Sequence, residues 1–225
     1  MGNDFPPLEV KVWGDYALFT RPEMKVERVS YEVMTPSAAR GVLRAIFWKP
    51  EFHWRVKEIE VLEPIQRMSI KRNEVKSKIN PSNAKSWAKE GNEDKRYLAD
   101  KKRTQRNSLV LRDVAYIIRA NVELAKHAGD EHPAKFRDQF RRRLDRGQCF
   151  FRPYLGCREF SAHFAKPSGG EEPISRSDAL GRMLFDIDYE GNGSGRGKPV
   201  FFQAKLESGR LRIPQHMYSQ VRGGP

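Results

Sequence analysis

The stretch TPSAARGVLRAIFWKP, residues 35–50, constrains this chain more than any other. Thr35 followed by Pro36 supplies a capping hydroxyl and a first-turn proline, two strong signals for a helix start. Ala39, Val42, Leu43, Ile46 and Phe47 then recur at helical spacing. Lys49-Pro50 closes the pattern, because the residue before a proline avoids the α region. Arg40 and Arg44 flank the apolar stripe, and Phe47 lies on the border nearest them. One helix therefore carries a core face, a basic flank and an aromatic ring between the two.

The segments around it read as strands. Leu8, Val10 and Val12 alternate with Glu9, Lys11 and Trp13, a half-buried strand that Gly14-Asp15 is expected to interrupt. Trp54, Val56, Ile59 and Val61 make a second strand with a phase slip near Lys57-Glu58, the mark of a bulge. Val114, Tyr116, Ile118, Ala120, Val122 and Leu124 alternate over the cleanest strand of the chain. A second helix starts at Pro133, stacks Phe136, Phe140 and Leu144 on one face, crowds arginines into its last turn and ends at Gly147. With residues 148–152 as the fourth strand, the order is the βαββαβ of ferredoxin-like and RNA-recognition folds. Further on, Met183, Phe185, Ile187 and Tyr189 alternate, as do Val200, Phe202, Ala204 and Leu206, with GNGSGRG at 191–197 as the joining hairpin loop. The expectation is an α+β chain: a ferredoxin-like unit over residues 1–147, then a small antiparallel β extension over 148–225.

Charge narrows the partners. The 225 residues hold 42 Lys and Arg against 29 Asp and Glu, a net charge of +13, which favours nucleic acid over a membrane surface. Residues 67–106 hold 13 of the cations against 5 acids. Residues 64–107 are rich in Lys, Asn and Ser, with Trp87 and Tyr97 as their aromatics, and predict a hairpin rim bearing a long mobile loop near 67–107. Lys71, Arg72, Lys101, Lys102 and Arg103 are its candidate nucleic-acid contacts. Charge alone would also suit duplex DNA. No apolar run approaches a membrane span and no signal peptide is visible, so a cytoplasmic protein without a membrane partner is expected. Cys149 and Cys157 match no common metal spacing and read as free thiols. No P-loop, dinucleotide fingerprint or zinc motif is present, so neither cofactor nor metal is expected. Glu58 with Glu60, and Asp186 with Asp188, lie on alternating strand patterns and read as solvent-facing pairs.

An RNA-recognition topology with a basic loop suggests one chemistry first. RNA can be cut by its own 2′-OH, so a protein need only move two protons and stabilise the charged phosphorane. In this topology the end of the first helix meets the start of the second, which brings Phe47, His53, His132 and Lys135 into consideration.

The segments WGDYALFTRPEMKVERVSYEVMTPSAARGVLRAIFWKP, KRNEV at 71–75, LRDVAYIIRANVEL and PYLGCREF resemble, over nearly the whole chain, the subtype I-C (Dvulg) branch of the CRISPR-associated Cas-five family. The resemblance implies a ferredoxin-like domain with a β-sheet extension. It implies metal-independent cleavage at the base of the CRISPR repeat hairpin, leaving a 2′,3′-cyclic phosphate. The protein would then stay on the 5′ handle beside the other subunits of Cascade. Family members commonly carry tyrosine, sometimes histidine, at the position of Phe47, and Lys-His where this chain has Lys135-Phe136. Lys135 carries over as the catalytic cation. His132 and Tyr16 are the replacements for proton transfer, and Phe47, Phe136, Arg40 and Arg44 join the RNA contacts. The alternatives are a non-catalytic RNA-binding subunit of the same complex and a general duplex-DNA-binding module.

Overall fold

The Thr35 hydroxyl accepts the amide of Ala38 at 3.3 Å, and Pro36 opens helix α1, Pro36–Ile46. The structure, a computed structural model, describes residues 5–24, 26–91, 97–189 and 197–221. The other elements in chain order are β1 (Leu8–Ala17) and β2 (Arg28–Val29) before α1, then β3 (Phe52–Val61), β4 (Gln66–Val75), α2 (Pro81–Glu90), β5 (Arg103–Leu124), α3 (Pro133–Asp145), β6 (His163–Ala165), β7 (Asp178–Tyr189), β8 (Gly197–Glu207) and β9 (Arg210–Arg212).

The strands form one sheet in the order β6-β1-β5-β3-β9-β8-β7, with β2 and β4 also paired to β5. β1 and β3 pair antiparallel on either side of the long central β5, and β6 pairs antiparallel with the outer edge of β1. The fold is thus a mixed one of helices on a largely antiparallel sheet. Val10, Val12, Val56, Ile59, Ile118, Ala120 and Val122 face the apolar stripe of α1 and Phe136, Phe140 and Leu144 of α3. The phase slip in β3 is a register shift between Val56 and Glu58, and it keeps Ile59 and Val61 on the core face.

Several expectations are corrected. β1 runs unbroken through Gly14 and Asp15. Residues 148–152 form no strand; the amide of Phe150 instead bonds the carbonyls of Ala45 and Ile46 at 2.8 and 3.2 Å. This segment satisfies the open end of α1, and β6 takes the fourth position beside β1. The expected hairpin rim is present, longer than the sequence suggested: β4 pairs with the first half of β5 from Gln66↔Arg112 to Val75↔Arg103, and α2 lies between them, with residues 92–96 outside the described residues. The extension does not form a sheet of its own, because β9 lies against β3. Glu60 is no solvent-facing acid: it is 2% exposed and held by Arg210 at 2.9 Å and Arg119 at 3.3 Å, an ion knot joining β5, β3 and β9. Asp186 is also buried, since a register shift between Leu184 and Asp186 turns it inward beside Phe185. Residues 191–196 of the expected GNGSGRG loop lie outside the described residues; Tyr189 and Gly197 are in register.

The PYLGCREF motif has a structural cause. Gly156 has φ +85°, and a Cβ there would fall 2.1 Å from the carbonyl oxygen of Leu18. Only glycine lets this turn close on the strand end, where Leu18 donates its amide to Leu155 at 3.0 Å. Among the described residues no helix is long and apolar enough to cross a membrane.

Candidate functional site

Phe47 ends α1 by turning extended, with φ −148° and ψ 122°. Its amide still bonds Leu43 at 2.8 Å, and its carbonyl accepts the indole N–H of Trp54 at 2.9 Å. The turn drives the ring inward, so α1 stops short of Lys49. Phe47 stacks on Phe52 with centroids 5.4 Å apart, and Phe52 meets Phe136 at 5.1 Å. The end of α1 and the first turn of α3 therefore converge through three packed rings. Phe47 and Phe136 are 1% and 2% exposed, which corrects their reading as RNA contacts: they are core residues with no face to offer a base. Arg143 covers the Phe47 ring at 5.2 Å and donates to the carbonyl of Ile46 at 3.0 Å.

His132 caps α3: its Nδ1 accepts the amide of Ala134 at 3.3 Å. A ring whose Nδ1 is an acceptor carries its proton on Nε2. His132 thus presents a donor, and the cap corrects its reading as the base that removes the 2′-OH proton. Lys135 is exposed on the first turn, its Nζ 2.6 and 2.9 Å from the two carboxylate oxygens of Glu131. A cation and an imidazole donor share this spot at the positive end of a helix, which suits an oxyanion.

Tyr16 is elsewhere. It pairs with Arg112, twelve residues before the end of β5, so roughly 40 Å of strand separates it from the turn into α3. Its ring rests near Phe160 at 5.9 Å. That distance removes Tyr16 from the convergence of α1 and α3.

The expected RNA-contacting cations divide into engaged and free. Both terminal nitrogens of Arg40 are engaged by Asp186, one at 2.8 Å. Arg72 is paired with Glu74 at 3.1 Å and Glu159 at 3.7 Å, so it braces the hairpin. Arg103 pairs with Asp100. Lys71, Lys101 and Lys102 are exposed on the hairpin, at the end of β5 opposite to Lys135. Arg44 reaches instead toward the Trp48 ring, 5.9 Å away.

Reasoning from sequence missed the surroundings of Arg44. A cavity of about 230 Å³ is lined by Arg40, Arg44, Trp48, His53, Arg55 and Tyr218. Burial, then the charge of Arg55, lowers the His53 pKa from its ordinary value and favours the neutral ring. The WKP that stopped the helix also put a tryptophan at its mouth, the one signal that could have marked it. Phe150 and Phe151 pair at 5.8 Å and stand exposed where residues 148–152 meet α1. Among the described residues no three His, Cys, Asp or Glu side chains are grouped to hold a metal ion.

Comparison with known proteins bears on this arrangement. Residues 7–214 match the family model Cas5d, described as CRISPR-associated protein (Cas_Cas5). The chain is 43% identical over 224 residues to the CRISPR pre-crRNA endoribonuclease Cas5d of Mannheimia succiniciproducens, covering 96% of this chain and 98% of that protein. It is 42% identical over 229 residues to the protein of the same name from Thermus thermophilus, covering 95% and 94%. A crystal structure of a CRISPR-associated protein shares the fold with a TM-score of 0.66 at 21% identity, covering 96% of both chains.

Proposed function

The chain belongs to the Cas5d family of CRISPR-associated proteins, and from that premise we propose that it is the endoribonuclease that cleaves precursor CRISPR RNA within the repeat. The observation that carries the mechanism is Lys135 on the first turn of α3, beside the His132 cap and next to the end of α1. In this reading the 2′-OH passes its proton to solvent water and attacks the adjacent phosphorus; the 2′,3′-cyclic phosphate forms as the bond to the 5′ oxygen breaks, and that oxygen takes a proton from water. Lys135 leaves Glu131 and follows the phosphate as its charge grows. The first amides of α3 add their partial positive charge. The Nε2–H of His132 hydrogen-bonds to the departing 5′ oxygen and stabilises its growing charge without giving up the proton. None of these steps calls for a metal ion.

The strand order β6-β1-β5-β3, with α1 and α3 as its crossovers, supports a ferredoxin-like reading of the core. Residues 1–147 would then carry the RNA site, and residues 148–225 brace it from both sheet edges through β6 and β9. The exposed lysines of the β4–β5 hairpin support a second RNA contact far from the scissile phosphate. A protein that holds its product at two such places is suited to remain on the 5′ handle as a subunit of a cytoplasmic surveillance complex.

The test is incubation of the purified protein with its own repeat RNA in excess chelator. A single cut with a 5′-hydroxyl downstream product supports the reading. Tight binding without a cut would instead favour the non-catalytic subunit.

A further inference from the structure

Arg44, Trp48 and His53 have no part in the site described so far, yet they line one cavity. It lies at the edge of β3 that β9 leaves uncovered, since β9 pairs only with Glu58–Glu60. Apart from His127, the other polar groups of its wall are occupied. Arg40 is held by Asp186, and Arg55 is paired with Glu123 and lies over the Tyr218 ring at 4.5 Å. The Tyr218 hydroxyl donates to the carbonyl of Val56 at 3.0 Å. Among the described residues Arg44 has no carboxylate within ion-pair reach, and Trp48 is 41% exposed. Burial, then the like charge of Arg40, lowers the Arg44 pKa against a smaller opposing pull from Asp186. A guanidinium, an indole face and the imidazoles of His53 and His127 thus remain open toward one space.

The geometry points to a pocket for one unpaired nucleotide of the RNA, its base laid on Trp48 and its phosphate held by Arg44. Planar bases stack on aromatic faces whatever their sequence, and the guanidinium fork matches two phosphate oxygens. At about 230 Å³ the cavity is below the usual range for whole small-molecule ligands, which suits one base and excludes a duplex. Phe52 lines this cavity and also meets Phe136, the neighbour of Lys135. The pocket thus lies one buried ring away from the residue beside Lys135. The inference rests on the RNA-processing reading and adds to it a place where unpaired sequence is gripped.

The experiment measures equilibrium binding of the repeat RNA, over a range of salt, by wild type, Trp48→Ala, Trp48→Phe and Arg44→Ala. Trp48→Ala is expected to weaken binding about 10-fold, whereas Trp48→Phe stays within about 3-fold because it keeps a stacking face. Arg44→Ala should weaken binding and lower the salt slope by about one. Wild-type affinity and slope in both alanine variants would overturn the pocket while leaving the RNA reading intact. Equal weakening by Trp48→Phe and Trp48→Ala would overturn the stacking. Failure of the wild-type protein to bind repeat RNA would overturn the RNA reading and the pocket together.

Discussion

The Lys135 ammonium lies 2.6 and 2.9 Å from the two carboxylate oxygens of Glu131, which precedes the His132 cap of α3. Both side chains are partly open to water, so the pair contributes little stability, about 0.2–1 kcal/mol for an exposed ion pair. Its consequence is functional: the cation proposed to meet the phosphate is held at the mouth of α3 by a partner it can exchange.

Lys135→Ala is expected to reduce cleavage by at least about 100-fold while repeat binding changes less than about 5-fold, since one phosphate contact among many is lost. Glu131→Gln frees the lysine without removing it and should tighten binding modestly. Single-turnover cleavage with parallel binding curves reads both. Wild-type cleavage by Lys135→Ala would move the active site away from α3.

Phe52 is the ring between Phe47 and Phe136, and Trp54 adds an edge contact at 5.3 Å. Phe52→Ala should lower unfolding free energy by about 3–5 kcal/mol, the usual cost of deleting a buried aromatic ring. Urea denaturation measures it. A loss below 1 kcal/mol would mean that these rings do not tie α1 to α3.

Gly156→Ala tests the turn behind PYLGCREF. The added methyl would lie 2.1 Å from the Leu18 carbonyl at a φ of +85°, so strain and clash act together. The urea midpoint should fall with an unchanged slope, by an amount worth about 2 kcal/mol or more. An unchanged midpoint would show that the turn opens freely.

Acid stability should carry the signature of Glu171. The amides of Ser168 and Gly169 each donate to its carboxylate at 2.9 Å, and these bonds hold its pKa at about 2. Because the folded value lies below the unfolded one, this contribution is present above the ordinary glutamate range and is lost as pH falls toward about 2. Glu171→Gln should therefore flatten the decline in stability through that window. Identical pH profiles for the two proteins would contradict it.

Much of this architecture could be read from residue order. Thr35-Pro36, Pro133 and the alternation at 114–124 each act locally, and α1, α3 and the second half of β5 follow from them. The family motifs also led to the family that residues 7–214 match. Long-range competition was not legible. Residues 148–152 have strand-like composition, yet the unpaired carbonyls of Ala45 and Ile46 capture the Phe150 amide. Asp186 looked solvent-facing because its parity was counted through a bulge that strand pairing alone creates. The burial of Phe47 depends on the Trp54 indole holding its carbonyl, a contact across seven residues that periodicity does not reveal. Tyr16 and Lys135 both looked usable for catalysis until β5 set the distance between them.

The most direct test replaces the single 2′-hydroxyl at the cut site of the repeat RNA with hydrogen and follows cleavage in excess chelator. The account predicts that the deoxy substrate binds like the parent but is not cut, while the all-ribose RNA yields a 2′,3′-cyclic phosphate and a 5′-hydroxyl. Cleavage of the deoxy substrate, or loss of all cleavage to the chelator, would contradict it.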